Sequence, residues 1–537
     1  MQNRTLKQLF DNSIRLYGSN AALSTFGQTP ITYNEVASRA NQLRDMLTGA
    51  GVGSGDKVAI LATNSPNWVV GYFTVVSSGM VAVPILPDFS GEQLDQIIAH
   101  SEAKALLVTD KLFGKLSHET VSRMNIIVRL SNMGVVARRC DQKAEIVEPQ
   151  PDDTAVIIYT SGTTSAPKGV MLSHKALCAQ IDIYNTPEVF PVYADDVFLS
   201  ILPLSHTYEC SVGMIYPFSA GAQVVYLDRM PTASALMPAF REVRPTIMLS
   251  VPLIMEKIYR TQVVARFTGS KIGAALYSHR PFARLIHRIA GKALKKLMGG
   301  RMRFFGIGGA KLDAATEQFM RDAHFPYAIG YGLTETAPLL FAAPPQATHL
   351  QSAGHAIPGV EARLDNINPL TGEGELVVRT PSIMQGYYKN PEITAEAFTA
   401  DGWFRTKDLC TLSAEGLMTV HGRAGNMIVG ASGENIYPEE IESVINTHRL
   451  VSESIVVADN GALVALVQLN REELEKRFAE LKGTLAAKSE EVKSEIKEYV
   501  NSRVSRFSRV AVVVEQAEGF EKTPTMKIKR YLYNKKK

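Results

Sequence analysis

Cysteine is scarce in this chain of 537 residues. The cysteines lie far apart, without a Cys-x-x-Cys pair, at Cys140, Cys178, Cys210 and Cys410. This spacing argues against a disulfide framework and against a zinc site. We therefore expect a protein of a reducing compartment, with a cytoplasmic location.

The sequence also lacks a long uninterrupted apolar run. Its most apolar window, residues 68–87, is broken by Ser77, Gly79 and Pro84. The window therefore predicts a buried helix, a stop at the glycine and a strand rather than a membrane span. Segment 1–18 has apolar residues at helical spacing and no cleavage-site pattern, which predicts an amphipathic helix rather than a secretory signal.

Charge of one sign is not in excess. The chain has 57 Lys and Arg against 53 Asp and Glu, a formal net charge of +4, and it is 45% hydrophobic and 20% charged. This composition is that of a folded globular protein and excludes a disordered chain. A balance so close to neutral gives no support for nucleic-acid binding, so we expect small-molecule substrates and no nucleic-acid partner.

Strand and helix patterns alternate in the first half of the chain. Thr32 and Glu35 form a capping-box pattern before a helix that should end at Gly51. Short apolar runs, separated by helix-length segments, lie at 57–62, 80–85, 104–109, 125–130 and 154–160. The pattern predicts an α/β fold whose large N-terminal body has mostly parallel sheets with helices.

The stretch "YTSGTTSAPKGV", residues 159–170, follows one of these runs and is predicted to be a ligand-binding loop at the end of a strand. It does not fit the P-loop pattern, because Lys168 precedes Gly169 instead of following it. Hydroxyls, glycine amides and one cation nevertheless suit phosphate oxygens. The candidate phosphate-binding residues are Thr160, Ser161, Gly162, Thr163, Thr164 and Lys168.

Seven motifs, in order, resemble those of the AMP-forming adenylate synthetase superfamily, which includes acyl-CoA synthetases, peptide-synthetase adenylation domains and luciferases. They begin with "YTSGTTSAPKGVMLSH" and continue with "RFFGIGGAKL", "YGLTET", "GELVVRTPSIMQGYY", "GWFRTKDL", "GRAGNMIVGASGENIYPEEIE" and "KTPTMKIKR". Together they extend almost to the end of the chain. One such motif would be weak, whereas seven in order are specific.

The resemblance implies a two-step reaction. A carboxylate attacks the α-phosphate of ATP and releases pyrophosphate, and a thiol then displaces AMP from the acyl-adenylate. The implied substrates and ions are ATP, Mg²⁺ and CoA. The implied architecture is an adenylation body at 1–423, a hinge at 424–427 and a small mobile α+β lid domain at 428–537. Relatives usually carry Lys or Asp in the hinge where this chain has Gly425.

The same resemblance assigns the phosphate and metal contacts. Thr163, Thr164 and Lys168 would hold the β- and γ-phosphates of ATP. Thr334 would contact the α-phosphate. Glu335 would be a magnesium ligand, because a hard carboxylate oxygen suits Mg²⁺ shared with phosphates.

The nucleoside contacts are implied in the same way. Those near the adenine are Gly308, Gly309, Ala310, Tyr331 and Gly332. Asp408 would accept both ribose hydroxyls, and Arg423 would reach ribose or phosphate oxygens. Without the other motifs, the same residues would be compatible with a tight turn, a bare turn aspartate and a surface salt bridge.

The C-terminal part carries the remaining implied contacts. Lys527 matches the family lysine that bridges the attacking carboxylate and the phosphate. Ser432 and Gly433 match a loop that lies beside the thiol tunnel once the lid has turned.

The acid substrate is less well determined. "LSVPLIMEKIYR", residues 249–260, resembles long-chain fatty acyl-CoA synthetases, and Val251 would help line an acyl site, although apolar residues there also suit a plain core. His206 lies where relatives place a residue between the acyl tunnel and the nucleotide, and a structural histidine is the alternative. We expect a fatty acid–CoA ligase. Another acid or a carrier-protein thiol stays open, while the motif lysines and carboxylates argue against a non-catalytic relative.

A basic segment is visible without any resemblance. From 257 to 311 the chain has thirteen Lys or Arg and no Asp or Glu. Residues 280–300 predict a basic amphipathic helix that could lie on an anionic membrane as a peripheral contact. Two other readings are open: the apolar side packs on the body, or the cations attract CoA phosphates.

Overall fold

The structure is a computed structural model that describes residues 4–160, 168–268, 270–429, 435–459, 461–480, 484–523 and 528–533. The chain forms two compact units. The first comprises Met1–Ala362, Val378–Phe404 and Ala414–Met418. The second comprises Arg363–Val377, Arg405–Ser413 and Thr419–Lys537. The predicted hinge at 424–427 concerns movement, which this division does not test, and it stays a prediction.

The strands, in chain order, have the following bounds. They are β1 (Ala21–Thr25), β2 (Ile31–Thr32), β3 (Lys57–Leu61), β4 (Val81–Ile85), β5 (Ala103–Val108), β6 (Ile126–Arg129), β7 (Gly134–Arg138), β8 (Thr154–Thr160), β9 (Lys168–Ser173), β10 (Val197–Ser200), β11 (Gln223–Tyr226), β12 (Ile247–Ser250), β13 (Phe304–Ile307), β14 (Tyr327–Gly332), β15 (Leu339–Ala343), β16 (His355–Ala356), β17 (Glu361–Asp365), β18 (Gly374–Arg379), β19 (Gly386–Tyr387), β20 (Phe404–Leu412), β21 (Met418–Arg423), β22 (Ile428–Val429), β23 (Asn435–Ile436), β24 (Val451–Asp459), β25 (Ala462–Leu469) and β26 (Val512–Glu515).

The α-helices are bounded as follows. They are α1 (Leu6–Tyr17), α2 (Tyr33–Gly49), α3 (Pro66–Ser77), α4 (Gly91–Ser101), α5 (Asp110–Phe113), α6 (His118–Arg123), α7 (His174–Tyr184), α8 (Tyr216–Ser219), α9 (Ala233–Val243), α10 (Pro252–Ile258), α11 (Ala265–Thr268), α12 (Lys271–Ser278), α13 (Arg280–Leu297), α14 (Ala314–Asp322), α15 (Pro391–Glu396), α16 (Pro438–Ile445), α17 (Arg471–Glu480) and α18 (Leu485–Asn501). The described residues also form short 3-10 turns at 334–336, 506–508 and 530–532 and π-helical turns at 209–215 and 259–264.

The first unit contains two large sheets. The eight-stranded sheet has the order β19-β9-β8-β4-β3-β5-β6-β7, and its central pairs β8–β4, β4–β3, β3–β5 and β5–β6 are parallel. The nine-stranded sheet has the order β16-β15-β14-β13-β12-β10-β11-β1-β2, and from β14 to β1 its pairs are parallel. The predicted α/β body with mostly parallel sheets is confirmed.

Local sequence signals explain the early elements. Thr5 and Thr32 each close a capping box, with Gln8 and Glu35. The helix α2 therefore begins where the sequence predicts, and α1 lies within the predicted helical segment 1–18. The apolar window 68–87 forms the buried helix α3 and the buried strand β4, as predicted. In the described parts of the chain, no helix is both long and apolar enough to cross a membrane.

The prediction of a loop over residues 159–170 is wrong at both ends. Residues 159–170 were expected to be loop throughout, but β8 continues to Thr160 and β9 begins at Lys168. The two strands pair antiparallel, with Thr160 opposite Lys168. The β-branched and apolar residues near these two positions suit strands, which explains why the ladder extends this far.

The second unit is the smaller one and is mixed α+β. The strands β24, β25 and β26 form a three-stranded sheet, in which β24–β25 is antiparallel and β25–β26 is parallel. Residues of α16 and α18, among them Ile441, Ile445, Val492 and Ile496, are buried in one core with this sheet. The sheet β17-β18-β20-β21 contributes most of its residues to this unit. The predicted small C-terminal α+β domain is confirmed.

Candidate active site

The hairpin of β8 and β9 sets the position of the candidate phosphate-binding residues. Thr160 ends β8, Lys168 starts β9, and the two residues are paired across the ladder. The predicted phosphate contacts Ser161, Gly162, Thr163 and Thr164 lie between them and outside the described residues. The structure therefore fixes the two ends of this segment.

Lys168 and Glu335 both lie close to one tyrosine, Tyr387. The Nζ of Lys168 is 5.7 Å from the centre of the Tyr387 ring, and the Tyr387 hydroxyl donates to Oε1 of Glu335 at 2.8 Å. The strand β19 carries Tyr387 beside Val170 of β9, so antiparallel pairing brings the ring to the lysine. Both sequence-predicted charges therefore belong to one cluster, which Tyr387 joins.

A buried amide holds the turn that carries Thr334 and Glu335. Nε2 of Gln180, in α7, donates to the carbonyl oxygens of Thr336 at 3.1 Å and Leu339 at 2.8 Å. The same nitrogen lies 2.7 Å from Oγ of Ser382. Gln180 is fully buried, so its donors have protein oxygens as partners instead of water. The side chain joins the 334–336 turn to the segment that leads into β19.

The candidate adenine contacts lie where neighbouring strands end. Since β12, β13 and β14 are parallel neighbours, Gly308 and Tyr331 follow or end strands at the same sheet edge. A Cβ on Gly308 would lie 3.3 Å from the Gly330 carbonyl oxygen, and one on Gly332 would lie 1.9 Å from that of Pro338. Gly309 has φ +84° and, like Ala310, is exposed. Glycine is therefore required by space at Gly332 and favoured by backbone conformation at Gly309.

The candidate acyl residues border the same edge. Val251 follows β12, and its Cγ1 lies 4.0 Å from a Cβ built on Gly309. The Nδ1 of His206 accepts the backbone N–H of Tyr208 at 3.3 Å. Tyr208 in turn packs against the glycines of β13, because a Cβ on Gly306 would meet its hydroxyl at 2.9 Å. The structure thus brings the 206–208 segment to the strand ends that Val251 follows.

The residue directly after Tyr208 in the chain, Glu209, carries a buried carboxyl. Glu209 starts the π-helical turn 209–215 and is 1% exposed. Burial raises the pKa of Glu209 from its ordinary value near 4.5 to about 8, and a hydrogen bond with Ser200 offsets part of this rise. At neutral pH the Glu209 carboxyl is therefore protonated in most molecules. The sequence prediction assigned Glu209 no role.

In the second unit the two candidate ribose contacts pair with each other. Nε of Arg423 lies 2.8 Å from Oδ1 of Asp408, whose side chain is 7% exposed while that of Arg423 is 50% exposed. Asp408 lies in β20, where its backbone N–H donates to Oγ1 of Thr406 at 3.1 Å. The preceding residue, Lys407, has φ +61°, a conformation that non-glycine residues seldom adopt and that is often found at functional sites.

The hinge prediction and the lid predictions fall in or near this unit. Gly425 lies in a turn in which the N–H of Asn426 donates to the Arg423 carbonyl oxygen at 2.9 Å, and a Cβ on Gly425 would meet no described residue within 4 Å. The described neighbours therefore leave room for a side chain at this position. Ser432, Gly433 and Lys527 lie outside the described residues.

The residues present fit a magnesium ion that arrives with a nucleotide. Within the described ranges, no group of three or more His, Cys, Asp or Glu side chains could hold a metal alone. A magnesium ion bound to nucleotide phosphates needs only one or two protein carboxylates, because phosphate and water oxygens fill the other positions. Glu335, oriented by Tyr387 and part of the Lys168 cluster, is a suitable single ligand.

These features define an ATP-using enzyme of the adenylate-forming class. Two family models match the chain: AMP-binding enzyme over residues 10–388 and AMP-binding enzyme C-terminal domain over residues 425–536. The chain belongs to this family and is an AMP-forming acid–thiol ligase.

Individual relatives agree with this assignment. The long-chain-fatty-acid–CoA ligase FadD15 of Mycobacterium bovis is 30% identical over 92% of this chain and 89% of its own length. The chloroplastic long-chain-fatty-acid–[acyl-carrier-protein] ligase AEE15 of Arabidopsis thaliana is 27% identical over 98% of this chain and 85% of its own length. The ATP-bound RpMatB-BxBclM chimera has the same fold, with a TM-score of 0.78, 24% identity and coverage of 99% of this chain and 98% of the chimera.

Sequence reasoning missed two contributors to the site, Tyr387 and Gln180, and one buried carboxyl, Glu209. Tyr387 stands inside a quoted motif, but a Gly-Tyr-Tyr sequence is equally compatible with core packing. Gln180 lies in an ordinary helix and gives no sequence signal. Glu209 follows the histidine motif, and a carboxyl next to apolar residues on both sides was the available clue.

Replacing Tyr387 by Phe should weaken the use of magnesium. The variant keeps the ring beside Lys168 and loses the hydroxyl that orients Glu335. Since hydrogen bonds to charged groups contribute about 1.5–3 kcal/mol, we expect roughly a tenfold rise in the Mg²⁺ concentration needed for half-maximal pyrophosphate exchange. Tyr388→Phe is the matched control, because the Tyr388 hydroxyl donates to Glu102 instead. An unchanged Mg²⁺ requirement in Tyr387→Phe would contradict the role given to this hydroxyl.

Glu209 should make stability depend on pH. Its folded pKa is raised, so between about pH 4.5 and 8 the folded protein keeps a proton that the unfolded chain loses, and stability falls as pH rises through this window. Glu209→Gln stays uncharged. Its unfolding free energy relative to wild type should increase by about 2 kcal/mol from pH 5.5 to 7.5 in urea titrations. The exposed Glu92→Gln serves as control, and a pH-independent difference for Glu209→Gln would refute the assignment.

Proposed function

We propose that this enzyme activates a medium- to long-chain fatty acid and transfers it to CoA. In the first step a carboxylate oxygen bonds to the α-phosphorus of ATP and the bond to pyrophosphate breaks. In the second step the CoA sulfur bonds to the acyl carbon and AMP leaves. The observation that carries the proposal is the Lys168–Tyr387–Glu335 cluster in a chain 30% identical, over 92% of its length, to a long-chain-fatty-acid–CoA ligase.

Lys168 and Glu335 would both act on the β- and γ-phosphates, which leave as pyrophosphate. The ammonium of Lys168 would compensate charge on the β- and γ-phosphates, together with Thr163 and Thr164. Glu335 would hold the magnesium ion, whose chemistry is to neutralise charge on the phosphate oxygens. Thr334, in the same turn, would contact the α-phosphate.

Nucleoside and acid would occupy the edge of the nine-stranded sheet. Gly308, Gly309, Ala310, Tyr331 and Gly332 would border the adenine. Val251 and His206 would border the acyl group, which the 4.0 Å approach of Val251 to a Cβ built on Gly309 supports. Leu253, by contrast, is 57% exposed and supports no part of this site.

The C-terminal residues would act in turn. Asp408 and Arg423 would bind the ribose, and residues 424–427 would form the hinge on which the lid pivots. Lys527 would neutralise charge between carboxylate and phosphate in the first step, and the loop with Ser432 and Gly433 would border the thiol in the second. The absence of described atoms within 4 Å of a Cβ on Gly425 is compatible with pivoting.

A carrier-protein thiol is the second candidate acceptor. The relative AEE15 is named for ligation to acyl-carrier protein and matches 98% of this chain. Both acceptors present a phosphopantetheine thiol, so the adenylation residues serve either one.

A series of acids will test the substrate class. We expect acid-dependent pyrophosphate exchange to increase from short to medium and long straight-chain acids, because apolar contacts grow with each methylene. AMP release should then follow on addition of CoA, with apo- and holo-acyl-carrier protein assayed in parallel. A preference for aromatic or dicarboxylic acids would refute the fatty-acid proposal, and transfer to holo-carrier protein but not CoA would favour the second acceptor.

Replacing Lys527 by Ala should separate the two half-reactions. Loss of a preorganised charge at the transition state costs about 10²–10³ in rate, so adenylation should fall by that factor while thioester formation from supplied acyl-adenylate stays within about threefold of wild type. Lys529→Ala is the control, because the Lys529 ammonium lies 3.5 Å from Glu521. Equal losses in both half-reactions would refute the role of Lys527.

A further inference from the structure

The helices α12 and α13 form a basic segment that has apolar side chains on its outer surface. Six of these are well exposed: Ile272 (77%), Leu276 (42%), Phe282 (50%), Leu285 (55%), Ile289 (58%) and Leu297 (40%). Exposed apolar residues that cluster in this way mark interaction sites, whereas scattered ones do not. We define the outer face by Phe282, Leu285 and Ile289.

A different side of α13 packs on the protein. His287 and Leu294 are buried, and a Cβ on Gly291 would lie 2.4 Å from Cβ of Ala323, so this side fits closely beside the end of α14. At 100° per residue, Leu285 and Ile289 point away from the side defined by His287 and Gly291. The apolar outer face is thus additional to the packed one, and packing on the body does not account for it.

A buried polar chain fixes the orientation of both helices. The hydroxyl of Tyr277, in α12, lies 2.8 Å from Nε2 of His287 and 2.8 Å from the hydroxyl of Tyr259. Nδ1 of His287 lies 3.0 Å from Oδ2 of Asp322 in α14. Because these bonds connect α12, α13 and α14, the outer face is held outward by the fold.

Cations lie alongside the outer face. Arg284, Arg288, Lys292 and Lys295 follow the helix at intervals of four and three residues, which places them in one row beside Leu285 and Ile289. Arg284 lies 3.9 Å from Asp322 and Lys295 donates to the His324 carbonyl oxygen, so these two also serve the fold. Arg288, Lys292 and Lys296 are exposed.

We infer that α12 and α13 dock on an anionic lipid bilayer, with Phe282, Leu285 and Ile289 at the acyl boundary and the lysines and arginines at the headgroups. Basic rows beside Phe and Leu are the pattern of interfacial helices. Protein interfaces are instead depleted in lysine, and thirteen cations without a carboxylate from 257 to 311 favour a surface of uniform negative charge. The docking itself does not depend on the proposed function; a role in taking up fatty acid from the bilayer would.

Co-sedimentation with vesicles tests the inference without requiring catalysis. Full-length protein is mixed with vesicles of phosphatidylcholine alone or with about 30 mol % phosphatidylglycerol, in about 0.1 M NaCl. We expect binding to the anionic vesicles and at least about tenfold weaker binding to the neutral ones. Failure of the wild-type protein to bind the anionic vesicles would overturn the proposal.

Two variants separate the contribution of the cations to membrane binding from that of the apolar side chains. The triple variant Arg288→Glu, Lys292→Glu, Lys296→Glu and the double variant Leu285→Ser, Ile289→Ser should each lose about tenfold or more in vesicle affinity. The charge control is Lys111→Glu, Lys143→Glu, Lys497→Glu, which changes the net charge equally at exposed positions elsewhere and should stay within about twofold of wild type. If the charge control lost as much vesicle affinity as the triple variant, or if the double variant bound as well as wild type, binding would be due to nonspecific charge. Either result would refute docking through α12 and α13.

A fluorescent probe gives a second measurement that does not rely on removing side chains. An environment-sensitive label at Ile289→Cys, in a Cys140→Ser background because the other cysteines are buried, should shift to the blue on anionic vesicles. The same label at Lys143→Cys should not shift. An unshifted label at position 289 on vesicle-bound protein would show that another surface binds.

Discussion

The buried amide of Gln180 is the interaction on which the candidate site depends. Its nitrogen reaches the carbonyl oxygens of Thr336 and Leu339 and the hydroxyl of Ser382, so one side chain joins three segments that are distant in sequence. An apolar residue there would remove this donor from the two carbonyl oxygens, and an unsatisfied buried acceptor costs more than the bond itself contributes. The orientation of Glu335 and the approach of β19 to β9 both depend on these segments staying together.

The sheets supply the second requirement, which is to bring the ends of separate strands to one place. Parallel pairing of β12, β13 and β14 gathers residues far apart in the chain, and antiparallel pairing of β8, β9 and β19 aligns Thr160, Lys168 and Tyr387. The candidate site thus consists of short segments fixed by backbone ladders, and this suits a reaction that depends mainly on the placement of charge.

Much of this could be predicted from the sequence, for physical reasons. Periodicity and caps identified the early strands and helices, because burial on one face and N-terminal hydrogen bonding leave local patterns. The ordered motifs identified Lys168 and Glu335, which the fold brings into one cluster. Tyr387, Gln180 and Glu209 could not be found in this way, since their significance comes from partners more than fifty residues distant or from burial. For α13, periodicity predicted an amphipathic helix but not which side the protein would cover.

The pairing of Asp408 with Arg423 has a consequence for how variants of this enzyme are interpreted. The aspartate is almost fully covered and has the arginine as an ion-pair partner at 2.8 Å, so removing the arginine takes a compensating charge away from a covered carboxylate. The activity of such a variant would report the stability of this unit together with the proposed ribose contact of Arg423. Ranking residues in this part of the chain by lost activity alone would therefore overrate the arginine as a ligand, and unfolding measurements on the same variants are needed to divide the two effects.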